Sequence, residues 1–186
     1  MSEKCQSHVG CRGYSRIMTI PIDSDPAFLR RLDSPIGRLE LTGDGDAVTS
    51  LSIERSGRLP HDTVEEHSDP VLDRAAEQLD EYFAGTRHDF DIPVKLVGTE
   101  FQRSVWAKLS ELDFGEFISY GELGLSTGRL TAGRAVGGAV GANPVPIIVP
   151  CHRVLASDQR VTGYSGGNGI PTKVWLLEHE GIGHTA

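Results

Sequence analysis

The chain has 186 residues, of which 38% are hydrophobic and 24% charged, the balance of a globular protein of one or two small domains. No apolar run reaches transmembrane length and no secretory leader opens the chain, which excludes a helical membrane protein and points to the cytoplasm, or the nucleus in a eukaryotic cell. Three scattered cysteines exclude a disulfide framework, and a formal net charge of -8 argues against strong polyanion binding.

Residues 1–31 lack sustained periodicity and read as an N-terminal extension. Cys5, His8 and Cys11 could hold zinc with a fourth ligand from His61, His67 or His88, but their spacing is not that of a paired-cysteine knuckle. Such residues also occur by accident in tails. From residue 32 to 98 the pattern is that of a small α/β domain. Leu39 and Leu41, a Gly43-Asp44-Gly45 turn, and then Val48, Leu51 and Ile53 predict a β-hairpin with one buried face. Asp69-Pro70 opens a helix with an apolar stripe of Leu72, Ala75, Ala76, Leu79 and Tyr82, stopped near Gly85. Phe90, Ile92, Val94 and Leu96 alternate with polar residues, which predicts a further strand. This half presents no catalytic constellation.

Residues 99–186 predict a mostly helical second domain. Thr99 to Gln102 is a capping box, and Phe101, Val105, Trp106, Leu109 and Leu112 follow at helical spacing. Ser119 to Glu122 is a second capping box for a short helix reaching about Thr127. A turn and a helix rich in Gly and Ala, residues 131–141, complete a helix-turn-helix. Each glycine inside a helix costs about 1 kcal/mol relative to alanine. Close approach of another surface offsets that cost, and the surface is either a neighbouring helix or a nucleic-acid groove. The charge is not evenly spread, for residues 101–186 hold seven bases and seven acids and the acidic excess lies entirely in the first hundred residues.

The chemistry concentrates in Val145-Pro146-Ile147-Ile148-Val149-Pro150-Cys151-His152-Arg153-Val154. The β-branched run predicts a short buried strand that stops at Pro150 and delivers Cys151 on a turn. In a continuing strand His152 would point away from Cys151, so only a turn or helical step lets the imidazole serve the thiol. Read without its surroundings, Cys151 is equally well a small buried hydrophobe.

Taken together, Arg134-Ala135-Val136-Gly137-Gly138, Asn143-Pro144-Val145-Pro146, the Pro-Cys-His-Arg-Val string, Gly163-Tyr164-Ser165-Gly166-Gly167 and Trp175 to Gly181 resemble the O6-alkylguanine-DNA alkyltransferases, also called methylated-DNA-protein cysteine methyltransferases. The resemblance covers the C-terminal half and runs more weakly back to about Leu32. It implies a DNA repair protein that flips O6-alkylguanine, and O4-alkylthymine, out of double-stranded DNA and moves the alkyl group irreversibly to Cys151. No cofactor or metal is implied, and the protein is expected to be a monomer. The likeness implies His152 as base, Glu180 as its orienter, Asn143 as brace of the cysteine turn, and Tyr120 as a residue that swings out the nucleotide and contacts the base. It also implies a minor-groove face of Thr131, Arg134, Ala135, Gly137 and Gly138, with Arg134 filling the gap left by the base. Pro146, Val154, Tyr164, Ser165 and Gly166 are expected around the base. Asn168 to Thr172 makes the spacer before the last helix longer than in many relatives. Two alternatives remain: a lesion-binding protein that does not repair, against which Cys151 speaks, and a cysteine hydrolase, for which no oxyanion motif is evident.

Overall fold

In the computed structural model the described residues are 25–128 and 133–185. The zinc candidates Cys5, His8 and Cys11, and Thr131 of the expected groove-binding face, lie outside them. The fold is α/β: a small antiparallel sheet with one covering helix, followed by a mostly helical half.

Strands β1 (Phe28–Leu32), β2 (Leu39–Gly43) and β3 (Val48–Ile53) form a meander in the order β1-β2-β3. The hairpin β2–β3 forms where alternation and the Gly-Asp-Gly turn place it, with Leu41 opposite Leu51. Its apolar face packs under helix α1 (Pro70–Phe83), which contributes Leu72, Ala75, Leu79 and Tyr82. Asp69 caps α1 by accepting from the amides of Val71 and Leu72, a cap worth about 1 kcal/mol. β2 is buried on both faces. On the second face Glu40 accepts from Arg31 Nε at 3.3 Å and bonds His61 Nδ1 at 2.7 Å, while the Thr42 hydroxyl meets Ser50 at 2.7 Å.

Three sequence expectations are corrected. The extension does not run to residue 31, because Phe28–Leu32 pairs along the whole of β2 from Phe28 opposite Gly43 to Leu32 opposite Leu39. The arginines of this strand hid its alternation, since an edge strand needs only one apolar face. Phe90 to Leu96 is not a strand but an extended strap. Among the described residues only Val48 bridges it, donating to Pro93 O and accepting from the Lys95 amide, each at 2.9 Å. Pro93 has no N–H with which to extend the ladder, yet Phe90, Ile92, Val94 and Leu96 still pack on the core. The spacer Ile170–Thr172 belongs to the last helix, whose first turn takes Pro171.

The second half begins with α2 (Glu100–Leu109) and α3 (Tyr120–Ser126), both started by the expected capping boxes, and α4 (Gly133–Gly141). Their buried residues Val105, Trp106, Leu109, Leu123, Val136, Ala139 and Val140 form one cluster that includes Cys151. A two-stranded parallel sheet, β4 (Ile118–Ser119) with β5 (Val154–Leu155), and α5 (Ile170–His179) complete the chain. Val145, Ile147 and Leu176 lie in the same apolar cluster as the sheet and α1, so the two halves share a core.

Candidate active site

Residues Val145–Val149 form a tight turn rather than the expected strand, closed by the Val149 amide donating to Val145 O at 2.9 Å. Asn143 spans it, accepting from the Val145 amide at 3.1 Å and donating from Nδ2 to Val149 O at 2.7 Å. The strain sits at Ile147, whose φ of 74° is left-handed although its side chain is β-branched. Local sequence could not announce this. The side chain is held there by its burial in the core shared by the two halves, which outweighs an unfavourable backbone worth about 1–3 kcal/mol.

The cysteine follows on two small steps. Pro150, with φ −80° and ψ 66°, is the centre of an inverse γ-turn that the Cys151 amide closes by donating to Val149 O at 2.8 Å. A single 3₁₀ turn, Cys151–Arg153, then carries the chain into β5. This is the helical step that lets His152 turn inward. Because Leu155 pairs with Ser119, the residue that starts α3, Tyr120, is fixed beside the cysteine turn.

His152, Arg153 and Glu180 are buried together. Glu180, the residue after α5, bonds His152 Nε2 at 2.8 Å and accepts from Arg153 Nε at 2.6 Å and Arg153 Nη2 at 2.9 Å. The Tyr82 hydroxyl donates to the same carboxylate at 2.8 Å. Burial pushes the Glu180 pKa up, but the hydrogen bonds from His152 and Arg153, together with the charge of Arg153, outweigh it and leave it at about 2. The carboxylate is therefore ionised, and the His152 proton sits on Nε2 to donate to it. Nδ1 has no hydrogen-bond partner among the described residues and is the ring atom able to accept a proton. Burial lowers the His152 pKa against the pull of Glu180, and Arg153 and Lys173 lower it further. Burial raises the Cys151 pKa, against opposing bonds from Asn143 and Tyr164 and the charge of Lys173. At rest the pair is a thiol beside a neutral imidazole.

Cys151 lines a cavity of about 180 Å³ together with Tyr120, Gly137, Gly141, Tyr164 and Ser165, the space of about six waters at ~30 Å³ each. Of the residues expected around the base, Tyr164 and Ser165 are on this wall. Pro146 and Gly166 line a larger cleft of about 540 Å³ on the far side of the Ser165 loop, beside Arg55 and Arg58. Val154 is fully buried in the α2–α4 cluster. Gly166 is small for another reason than a flat ligand: a Cβ there would meet the Tyr164 ring at 2.8 Å.

The small residues of α4 divide between two faces. Val136, Ala139 and Val140 face inward, whereas Arg134, Ala135 and Gly138 are exposed. A Cβ on Gly138 would meet nothing within 4 Å, and one on Gly137 only the edge of Tyr120 at 4.0 Å. Internal packing therefore does not require these glycines. Arg134 has no ion pair or hydrogen bond among the described residues. The end of α4 is satisfied from elsewhere: Ala139 O accepts from Trp106 Nε1 at 2.8 Å and Gly141 O from Ser165 Oγ at 2.9 Å, so the Ser165 loop is tied to this helix end.

Sequence reasoning missed two residues. Tyr82 was assigned to the apolar stripe of α1, and its hydroxyl gave no periodic signal. Lys173, at the start of the last helix, was given no role. It is buried, with Nζ donating to Val154 O at 2.5 Å and lying 3.5 Å from Gly163 O, and burial lowers its pKa to about 8. A lysine on the inward face of α5 was the available signal. Among the described residues no group of three or more His, Cys, Asp or Glu could hold a metal ion, and no helix is long and apolar enough to cross a membrane.

A helix-turn-helix beside a pocket floored by a cysteine, with a buried histidine–glutamate pair behind it, defines a DNA-binding protein built for nucleophilic attack by sulfur. Two family models agree: residues 29–96 match the ribonuclease-like domain and residues 100–182 the DNA binding domain of 6-O-methylguanine DNA methyltransferase. The chain belongs to this family. A methylated-DNA-protein-cysteine methyltransferase of Haemophilus influenzae is 41% identical over 151 residues, 80% of this chain and 83% of the relative. One of Methanosarcina acetivorans is 40% identical over 152 residues, 80% of this chain and 95% of the relative. The crystal structure of Mycobacterium tuberculosis OGT in complex with DNA is 44% identical and superposes with a TM-score of 0.73, covering 83% of this chain and 93% of that one.

Proposed function

We propose that this protein repairs alkylated DNA by moving the alkyl group from O6 of guanine, and from O4 of thymine, onto Cys151, once per molecule, as a monomer in the cytoplasm. The observation that carries the reading is the pocket itself, with Cys151 on its floor, Tyr120 and Ser165 on its walls, and the His152–Glu180 pair directly behind. An alkyl group on O6 lies at the pairing edge inside the duplex, so the base must leave the stack before sulfur can approach its carbon. The exposed glycines of α4 let the minor groove come close, and Arg134, without a partner among the described residues, takes the place of the extruded base and bonds its widowed partner. Tyr120, between α4 and the pocket, guides the nucleotide from one to the other.

The reaction then balances as follows. His152 Nδ1 takes the thiol proton while Glu180 holds Nε2–H. The sulfur lone pair forms the S–C bond as the C–O6 bond breaks, and its electrons pass to the guanine ring. The Tyr120 hydroxyl and the polar groups at Ser165 receive the leaving base, and the proton lost by the thiol ends on guanine. The product is a thioether with no thiolate to leave again, so the site is spent. Asn143 keeps the turn from relaxing. Lys173, tied to the carbonyls of Val154 and Gly163, sits within electrostatic reach of Cys151 and favours its ionised form.

Duplex DNA holding O6-methylguanine, incubated with the protein, should add one methyl group to Cys151 in the intact mass and peptide map. The Cys151→Ser variant should bind this DNA and gain nothing. Binding by wild type without a mass change would favour the lesion-binding alternative instead.

A further inference from the structure

Glu180 carries as many bonds as a carboxylate holds. It offers about four acceptor positions, and four contacts converge on it, three of them on Oε1. His152 and Arg153 come from the turn that bears the nucleophile. The third partner, Tyr82, comes from α1 in the other half, 98 residues earlier. Its ring is fully buried, lies edge-on to Phe83 and Phe114 at centroid distances of 5.3 and 6.2 Å, and its carbonyl bonds His179 Nε2 at 2.7 Å. Packing alone would be served by phenylalanine, the residue that follows it in the chain. The hydroxyl adds no apolar contact and is aimed at the carboxylate.

We propose that Tyr82 is a positioning residue for alkyl transfer, through which α1 of the sheet-bearing half fixes Glu180 Oε1 and limits how strongly that oxygen pulls on His152. The proposal rests on the alkyl-transfer reading and deepens it. Oε1 is shared between the Tyr82 hydroxyl and His152 Nε2–H. When the hydroxyl is removed, more of the carboxylate charge falls on His152, the imidazolium is stabilised, and Nδ1 binds a proton more readily. The groups facing His152 are Glu180 at the end of α5, Arg153 on its own turn, Lys173 on α5 and Cys151. Glu180 raises its pKa, whereas Arg153 and Lys173 lower it, as burial does. Replacing Tyr82 by phenylalanine alters only the Glu180 contribution. A protonated His152 cannot take the thiol proton, so the acid limb of the reaction should move to higher pH.

The test is Tyr82→Phe in the full chain, with single-turnover methyl transfer to Cys151 followed across the acid and neutral range on duplex O6-methylguanine DNA and on the free base. The acid limb should rise by about half a unit to one unit, a rate about 3–10-fold lower on that limb, equally on both substrates. The rate at the plateau should stay within about 2–3-fold of wild type. Phe83→Leu, which disturbs the same packing without touching the hydroxyl, should lower the unfolding temperature and leave the limb in place. A limb at the wild-type pH in Tyr82→Phe overturns the proposal, whatever happens to stability. If wild type transfers no methyl from either substrate, the alkyl-transfer reading fails by itself. An NMR titration of His152 then still decides on Tyr82: a raised pKa in Tyr82→Phe upholds its hold on the relay, and an unchanged one ends it.

Discussion

The buried relay around Glu180 and the outer face of α4 are about as different as two parts of one site can be. In the relay the carboxylate is saturated and its partners are locked by packing from both halves. On α4 the side chains are missing or small, and the cation has no partner within the described residues. On the function proposed above, the contrast follows from what each must meet. A proton relay works on atoms the protein already owns, so all its ordering can be completed during folding. A groove-binding face must leave its contacts unmade until the duplex arrives.

Glu180→Ala should break this contrast most severely. It leaves the guanidinium of Arg153 buried and unpaired, a loss of about 3–5 kcal/mol, visible as a lower denaturation midpoint together with a loss of methyl transfer of at least about 100-fold. Arg134→Ala should do the opposite: stability within about 0.5 kcal/mol of wild type, duplex repair slower by about 10–100-fold, and reaction with the free base unchanged. Equal slowing on both substrates would remove Arg134 from its assigned place. Of the two regions, acid should act on the cluster around Glu180. The folded pKa of Glu180, about 2, lies below its ordinary value of 4.5, so the stability it contributes is complete above about pH 4.5 and is lost as pH falls towards 2. His152, with its pKa also lowered by burial, adds a loss that starts below its ordinary value of 6.5. Acid unfolding monitored by circular dichroism should therefore begin earlier in wild type than in a His152→Phe variant. The smallest effect is also the sharpest. Gly138→Ala should raise stability by up to about 1 kcal/mol, because its Cβ meets open space, and yet slow duplex repair. A variant that is stabler and equally fast on duplex would free Gly138 from any role in the groove.

Much of the architecture was legible locally. Both capping boxes, the Asp69 cap and the β2–β3 turn formed where the residues placed them, since each is decided within a few residues. The errors fell where distant contacts decide. Phe28–Leu32 became a strand through its partner β2. Phe90 to Leu96 failed to become one for want of a partner beyond Val48. The stretch before Cys151 has the composition of a strand but is held as a strained turn by Asn143 and by the core beneath Ile147.

The sequence by itself determined which reactive groups stand side by side. A cysteine, a histidine and an arginine stand in direct succession behind a proline, with a helix of small residues upstream, and covalent order alone keeps the thiol and imidazole together. Only the tertiary structure decided what that imidazole is bonded to. The carboxylate that orients it lies 28 residues away, the hydroxyl that restrains the carboxylate 98 residues before that. Neither separation leaves a periodic trace, because hydrogen-bond geometry is set by packing in three dimensions and not by spacing along the chain.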